Sequence, residues 1–241
     1  MKRLFAIMGM TSLASCLATV ANDLSPAQLE GRRIAQEVRE LKLTEDARGV
    51  LKIYRGRPLF AEIPFQLSSS STSSNWSSTY TTTSTNRELT ASLTVTYTAG
   101  APNEYRLTGA DTNQTTVLSG NETMTPFAGS DYWVADLGVE FLHWPLQRLL
   151  TNQVHRSQSC HKLESTNPAP GPNDYTRVIS WIDIDTGGIV EAEAWDAKGK
   201  LKMFEPTSVQ KVNGRYQVRE LEIRNTRRRT KTILVFDYGR N

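Results

Sequence analysis

Few residues in this chain have both the types and the spacing that catalysis needs. Asp185-Thr186-Gly187 matches the aspartic-protease tripeptide, but that chemistry needs two carboxylates that share a proton. The tripeptide occurs once, so a homodimer would have to supply the second carboxylate. The sequence Asp-Thr-Gly-Gly is also typical of a hairpin turn, because glycine tolerates a positive φ angle. We therefore predict a turn here rather than a protease site.

The histidines and cysteines do not predict a metal centre or a catalytic triad. His155, Cys160 and His161 are close in sequence, but the last two are neighbours on a predicted strand and point to opposite faces. A structural zinc site needs four convergent ligands. His143, beside Trp144, is more typical of a helix end than of a general base. The sequence has no nucleophile elbow, phosphate loop or dinucleotide fingerprint. We predict no enzyme, no metal and no cofactor.

The charge pattern does not favour a polyanionic binding partner. The formal net charge is +3, from 28 basic and 25 acidic residues, so we predict no nucleic-acid partner. The basic run RNTRRRTK lies between two predicted strands, where most charge runs are solvated hairpin tips. Contact of the Arg227–Arg229 turn with anionic lipid head groups stays open as the alternative.

The remaining chemistry is apolar surface, and two predicted helices carry much of it. Ser25 is a candidate N-cap, with Pro26 at the first helical position and Gln28 completing a capping box, so a helix over about 26–42 is predicted. A second helix is predicted over about 130–143, with Ser130 as its cap and Pro145 at its end. Its apolar side chains recur at helical spacing.

Most of the remaining chain is predicted to form strands. Apolar residues alternate in GVLKIYR and PLFAEIPFQL, and the Thr-rich segments NWSSTYTTTS and LTASLTVTYT continue the pattern. The low-complexity stretch SSSSTSS between them is predicted to be a loop or ragged edge. The C-terminal third reads as an antiparallel meander, with KLKMFE and SVQKV as separate strands and Asn213-Gly214 as a hairpin turn. A mainly β (α+β) chain of about ten or eleven strands suggests a curved sheet whose concave face the two helices cover.

The N-terminus reads as an export signal over residues 1–21. Lys2 and Arg3 precede an apolar run that is too short to span a bilayer. Cleavage could follow Ala21, or it could precede Cys16, because LASC resembles the bacterial lipobox in which the cysteine is lipidated. The pattern favours Cys16 as the lipidation site, and both outcomes stay open. Residues 22–241 then form a single domain.

Three segments together resemble the outer-membrane lipoprotein-sorting family, the LolA/LolB-like group of bacterial lipid and lipoprotein carriers. GSDYWVADL resembles the family's Gly-Ser-Asp-aromatic segment. WIDIDTGGIVEAEAWDAKGKL resembles its Trp-hydrophobic-Asp strand and following hairpin, and EIRN with TKTILVFD resembles its closing strand pair. The resemblance covers roughly residues 124–238, whereas the Ser/Thr-rich segment 68–86 departs from it.

The resemblance implies an incomplete antiparallel β-barrel with a hydrophobic cavity that shields acyl chains. A carrier that hands its lipid on needs a movable lid, and the helix predicted over about 130–143 is the candidate for it. It implies a monomeric periplasmic carrier, or a receptor anchored to the outer membrane through Cys16, with an acylated lipoprotein or lipid as partner. The alternative is a non-catalytic envelope protein with the same fold and a filled core. The candidate lipid-cavity residues lie on the predicted apolar faces: Leu51, Ile53, Phe65, Trp133, Leu137, Phe141, Trp144, Val178, Ile182, Leu221 and Ile223.

Overall fold

A single large antiparallel sheet dominates the protein. The computed structural model describes residues 24–41, 45–72, 75–84, 89–109 and 114–239, and these residues form one sheet of thirteen strands. The helical elements are α1 at Pro26–Arg39, α2 at Val134–Leu137, and 3₁₀ turns at Gly120–Thr123 and Glu140–His143. The strands are β1 Ala47–Arg55, β2 Leu59–Ser71, β3 Asn75–Thr83, β4 Leu89–Thr98, β5 Glu104–Gly109, β6 Thr115–Leu118, β7 Leu146–His155, β8 Gln158–Thr166, β9 Arg177–Asp183, β10 Ile189–Asp196, β11 Gly199–Val212, β12 Arg215–Asn225 and β13 Thr230–Asp237.

The sheet consists of two meanders that meet at one seam. Strands β1 to β6 pair in chain order, strands β7 to β13 do the same, and β1 pairs with β13. Strands β6 and β7 form the two edges, so the described sheet does not close on itself. The prediction of an incomplete antiparallel barrel is confirmed. The prediction of ten or eleven strands is too low.

The Ser/Thr-rich segment is strand, so the predicted loop is wrong for Ser68–Ser71. Strand β2 continues through these serines and pairs with β3. Hydroxyl groups pair across the strands, with Ser70 Oγ 2.9 Å from Ser77 Oγ. β-Branched threonine and cross-strand hydroxyl pairs both favour sheet, and a low-complexity stretch therefore extends the sheet instead of interrupting it.

The predicted strands KLKMFE and SVQKV are one strand, β11. The pairing register shifts between Pro206 and Ser208, and such a bulge lets a strand continue past a proline that cannot donate a ladder hydrogen bond. The strand that results is 14 residues long, and its far half extends the hairpin that ends at Asn213 and Gly214.

Helix α1 begins as predicted and ends earlier than predicted. The backbone N–H of Ser25 donates to Gln28 Oε1 at 2.9 Å, and Gln28 N–H donates back to Ser25 Oγ at 3.4 Å, which completes the capping box. The helix ends at Arg39 rather than at residue 42. Gly31 packs closely against β7, because a Cβ there would lie 2.7 Å from Arg148 Cα. Among the described residues, no helix has the length and apolar composition of a membrane span.

The predicted helix over 130–143 is wrong, because the segment forms a turn, a four-residue helix and a 3₁₀ turn in place of one continuous helix. Ser130 Oγ donates to the Phe127 carbonyl at 2.7 Å and closes a turn instead of capping a helix. The four-residue helix α2 follows, and Val139 then adopts a positive φ of 45° that ends it. We call residues 124–145 the plug segment.

The concave face of the sheet, α1 and the plug segment enclose the main hydrophobic core. The plug segment contributes buried Phe127, Tyr132, Leu137, Phe141 and Leu142. These side chains meet the apolar faces of strands from both meanders, so the plug segment closes much of the open side of the sheet. The opposite, convex face carries a smaller apolar cluster around Trp181.

Candidate functional site

A cavity of about 270 Å³ lies between the concave face, the plug segment and the C-terminal end of α1. Val38, Arg39 and Leu41 line it from the α1 side. The plug segment contributes Tyr132, Asp136, Leu137, Val139 and Phe141. The remaining lining comes from Tyr97, from the β9–β10 turn at residues 187–189, and from Phe204, Pro206, Val218 and Leu221 at the base of the β11–β12 hairpin.

The rim and the wall of this cavity are largely hydrocarbon. Leu41 stands at the rim with 51% of its surface exposed. The rings of Phe141 and Phe204 lie parallel, 6.1 Å apart, and form part of the wall. The Tyr132 hydroxyl does not add a free donor to this wall, because it donates to the Leu221 carbonyl at 2.7 Å. Such a wall attracts apolar chains.

The buried charge of Asp136 is already neutralised. Its carboxylate accepts hydrogen bonds from Lys202 Nζ at 3.1 Å, from the Trp133 backbone N–H at 2.8 Å and from the Tyr175 hydroxyl at 2.9 Å. Lys202 also lies over the Trp133 ring, 3.7 Å from its centre. Burial lowers the pKa of Lys202 to about 8, although Asp136 acts in the opposite direction. This cluster fixes α2 to β11 and occupies three of the roughly four acceptor positions of the carboxylate.

Arg39 is the other charged residue in the cavity wall. Its guanidinium donates to the Leu142 carbonyl at 2.5 Å and so ties α1 to the plug segment. Partial burial lowers its pKa, and the adjacent Glu40 only partly offsets that. Within the described part of the chain, Arg39 forms no ion pair. Its remaining N–H groups could therefore bind an anionic head group.

Polar bonds hold the plug segment along most of its length. The Tyr105 hydroxyl donates to Glu140 at 2.8 Å, and Asn103 Nδ2 donates to the Gly138 carbonyl at 2.8 Å. At its start, Asp131 accepts hydrogen bonds from the hydroxyls of Thr230 and Thr232 on β13. These anchors do not fit a lid that opens easily, because buried polar groups must be satisfied again when it moves. The motif GSDYWVADL thus supplies structural anchors.

The residues predicted to line a lipid cavity occupy two environments. Leu137, Phe141 and Leu221 line the cavity. The others lie outside its lining, in or against the packed concave side. Of these, Trp133 stacks on Tyr175 and also contacts Lys202, and Ile53 is buried on the same face as Leu51. The remaining packed residues are Leu51, Phe65, Trp144, Val178, Ile182 and Ile223.

Sequence reasoning missed several lining residues, among them Tyr97, Phe204 and Val218. Strand alternation predicts an inward face for Tyr97, because Tyr97 shares its face of β4 with Leu93 and Val95. It does not predict one for Phe204, which shares its face of β11 with Lys202. Val218 carried no such signal. It lines the cavity together with Leu221 because a bulge at Arg219 changes the phase of β12, with Ser208 pairing to Glu220 and Val209 to Val218.

The residues considered for catalysis or metal binding have structural roles here. The Asp185-Thr186-Gly187 segment is a turn, and Asp183 organises it by accepting bonds from the Thr186 backbone N–H and hydroxyl, each at 2.7 Å. His155 stacks on Trp181. Cys160 is buried, and burial raises the pKa of its thiol. No metal-binding group of three or more His, Cys, Asp or Glu side chains occurs among the described residues.

The sequence predicts two possible membrane contacts, Cys16 and the Arg227–Arg229 turn, and only the turn lies within the described residues. Cys16 lies outside the described residues. In the Arg227–Arg229 turn, Arg227 forms a two-contact ion pair with Asp196 and donates to the Gly199 carbonyl at 3.2 Å. Only Arg228 and Arg229 of this turn therefore remain available to a partner.

Solved structures share this open, curled sheet. A DUF1329 family protein from Desulfovibrio piger matches with a TM-score of 0.71 at 16% identity, over 88% of this chain and 92% of its own. A putative outer membrane lipoprotein-sorting protein domain from Vibrio parahaemolyticus matches at 0.69 and 16%, over 87% and 91%. A LolA superfamily protein from Nitrosomonas europaea matches at 0.61 and 13%, over 88% and 92%. The protein therefore has the fold of the LolA superfamily, and the resemblance seen in the sequence is confirmed.

A protein-family model described as "Uncharacterized protein" matches residues 74–238. That span is more than half of the chain, and the chain belongs to this family. A comparison with curated proteins finds no match.

Proposed function

We propose that this protein is a periplasmic carrier or receptor that shields an acyl chain of a lipid or lipoprotein in its cavity and helps to sort it to the outer membrane. The observation that carries the proposal is the cavity of about 270 Å³ between α1, the plug segment and the sheet. Each buried CH₂ group contributes about 0.8 kcal/mol, so an apolar wall of this kind can hold a chain that water rejects.

The charged group in the wall suggests where a head group would bind. Arg39 lies in the cavity wall near the exposed Leu41. An acyl chain entering past Leu41 would leave its anionic head group close to the Arg39 guanidinium. Asp136, in contrast, is occupied by Lys202 and Tyr175, so it would not repel the head group strongly.

Native mass spectrometry of protein purified from a membrane-containing host tests the proposal. We expect acyl species to accompany the parental protein and to be absent from Val218→Trp, because the larger ring would fill the cavity beside Leu221. Val154→Trp is the matched control, since Val154 is exposed on β7 and lies outside the cavity lining. An empty parental protein across several mild preparations would reject the carrier.

A second candidate is an envelope structural or interaction protein with the same fold. The size of the cavity favours it, because small-molecule pockets usually measure about 300–1,000 Å³ and this one is slightly smaller. Much of the concave face is also packed into the main core. The same mass measurement separates the two candidates. The structural or interaction protein should carry no acyl species, either as the parental protein or as Val218→Trp.

The site of anchoring is a separate part of the proposal. We propose that cleavage before Cys16 and lipidation there would make the protein a fixed receptor, whereas cleavage after Ala21 would leave a soluble carrier. Incorporation of labelled palmitate that disappears in Cys16→Ser would support the receptor. A mature N-terminus at residue 22 would contradict it.

A further inference from the structure

The hairpin formed by β11 and β12 extends beyond the strands on either side of it. We call its outer part, residues 206–219, the arm. Strand β10 pairs with β11 only as far as Phe204, and β13 pairs with β12 only from Glu220 onward. Within the described chain, the two strands of the arm therefore pair only with each other, from Val209 opposite Val218 to Val212 opposite Arg215.

The arm begins at the rim of the cavity and continues its apolar wall outward. Pro206 and Val218, at its base, line the cavity. Side chains two residues apart on a strand share a face, so Tyr216 lies on the same face as Val218, and Val209 lies opposite Val218 on that face. Tyr216 is 77% exposed and Val209 is 57% exposed. The arm thus presents apolar groups to solvent next to the cavity.

The charge of the arm has one sign. Lys211, Arg215 and Arg219 are exposed, and the segment 206–219 contains no acidic residue. None of these three cations forms an ion pair with any part of the chain that the structure describes. Exposed tyrosine and aliphatic groups beside unpaired cations are the combination that favours the interface of an anionic membrane, where the rings enter the head-group region and the cations bind lipid phosphates.

We propose that the arm docks on the anionic phospholipid surface of a membrane and brings the cavity rim to the lipid. Val209 and Tyr216 enter the head-group layer, while Lys211, Arg215 and Arg219 bind phosphate groups. The basic turn with Arg228 and Arg229 is less suited to this role. It lies at the opposite end of the strands, where Gly56 N–H donates to the Arg229 carbonyl, and it is remote from the cavity lining.

Vesicle co-sedimentation tests the arm, with Cys16→Ser in every protein so that a lipid anchor does not contribute. The parental protein should bind vesicles that contain phosphatidylglycerol and should not bind vesicles of phosphatidylcholine alone. The variant K211Q/R215Q/R219Q should bind on the order of 100-fold more weakly, because each cation near an anionic surface contributes about a fivefold factor. High salt should reduce parental binding, and V209S/Y216S should remove the binding that persists in high salt.

The control variant R57Q/R228Q/R229N makes the same change in net charge at the opposite end of the sheet. Asparagine is chosen at position 229 because the residue there has a φ of 54°, which asparagine tolerates. This variant should bind vesicles like the parental protein. All the substituted charged residues are exposed, so thermal unfolding should be unchanged in both variants.

Three results would overturn the proposal. The first is a parental protein that binds neither kind of vesicle. The arm would then be expected to bind a protein partner instead of a membrane. The second is undiminished binding by the arm variant. The third is equal weakening of the arm and control variants, which would assign binding to net charge alone. The acyl species measured by mass spectrometry are a separate readout, so a failure of the carrier and a failure of the docking surface can be told apart.

Discussion

The plug segment and the cavity rim both cover the concave face of the sheet, but they contact it through different kinds of interaction. Buried polar bonds attach the plug segment, including the Lys202–Asp136 ion pair and the hydroxyl of Tyr105 on Glu140. At the rim, Leu41 and Val218 contact the cavity only through apolar surface. Polar bonds have strict geometry and a high cost when broken, whereas apolar contacts exchange one hydrocarbon for another with little loss. We therefore expect ligand exchange at the rim rather than at the plug segment.

The largest expected effect comes from breaking the polar attachment of the plug segment. Asp136→Ala leaves Lys202, which is 1% exposed, as an uncompensated buried charge. We expect a loss of about 3–5 kcal/mol in the free energy of unfolding, measured by chemical denaturation. Asp131→Ala, which removes hydroxyl hydrogen bonds at the more exposed start of the segment, should cost about 1–2 kcal/mol. Equal losses would mean that the ion pair is not the main attachment.

A smaller effect is expected where α1 meets the sheet. A methyl group at Gly31 would lie 2.7 Å from both the Cα and the backbone nitrogen of Arg148. Gly31→Ala should therefore cost about 1–3 kcal/mol by overpacking, although alanine favours an isolated helix by about 1 kcal/mol. Leu29→Ala, at an exposed position of the same helix, is the control. A stabilised Gly31→Ala protein in thermal unfolding would show that α1 is not held closely against β7.

The pH dependence of stability gives a further test of the plug segment. Burial raises the pKa of Glu140 to about 7, and the Tyr105 hydrogen bond only partly opposes this. The folded state therefore holds a proton that the unfolded state releases, and this group lowers stability as pH rises from 4.5 to about 7. Glu140→Gln should stabilise the protein by about 1–3 kcal/mol at pH 8 and have no effect well below pH 4.5.

The comparison must be made between variant and parent at each pH, because His143 acts in the opposite direction. Burial, and next the charge of Arg39, lower the pKa of His143 to about 4. The unfolded state then binds a proton that the folded state does not, so this group reduces stability as pH falls from 6.5 to about 4. A difference between Glu140→Gln and parent that does not change with pH would exclude a buried Glu140 carboxyl as its cause.

Leu41→Ser should have the smallest effect on stability. The same variant tests directly whether ligand exchange takes place at the rim. Leu41 is largely exposed, so its replacement should change the free energy of unfolding by less than about 0.5 kcal/mol. If an acyl chain covers Leu41, affinity for a fluorescent fatty-acid probe should fall by about fivefold, as the loss of about 1 kcal/mol of apolar burial requires. Leu29→Ser, away from the cavity, should bind the probe normally. Unchanged binding by Leu41→Ser would place the entrance elsewhere.

Local patterns predicted much of this fold. The capping box of Ser25 and Gln28 and the apolar alternation of the strands depend on neighbours a few residues apart, so they can be read directly from the chain. The plug segment could not be predicted in the same way. Its aromatic residues recur at helical spacing, but the bonds that set its path come from distant partners such as Lys202 and Tyr105.

The candidate site shows the same division. Leu137, Phe141 and Leu221 were predicted among the cavity residues and line the cavity, yet Val178 and Ile182 from the same prediction lie in the packed core. Alternation assigns a side chain to a face of the sheet. It does not say whether another side chain or empty space lies opposite, because both environments require the same apolar residue.

By itself, the sequence determined most of the strand segments, the apolar face of many of them and where α1 begins, because each of these depends on short-range periodicity and capping. Only the tertiary structure decided where the concave face stays unfilled. That outcome depends on where α1 ends, on how Asp136 and Lys202 position the plug segment, and on the bulge at Arg219 that turns Val218 inward. The physical reason is that a cavity results from the three-dimensional packing of distant elements, and no single segment of the chain contains that information.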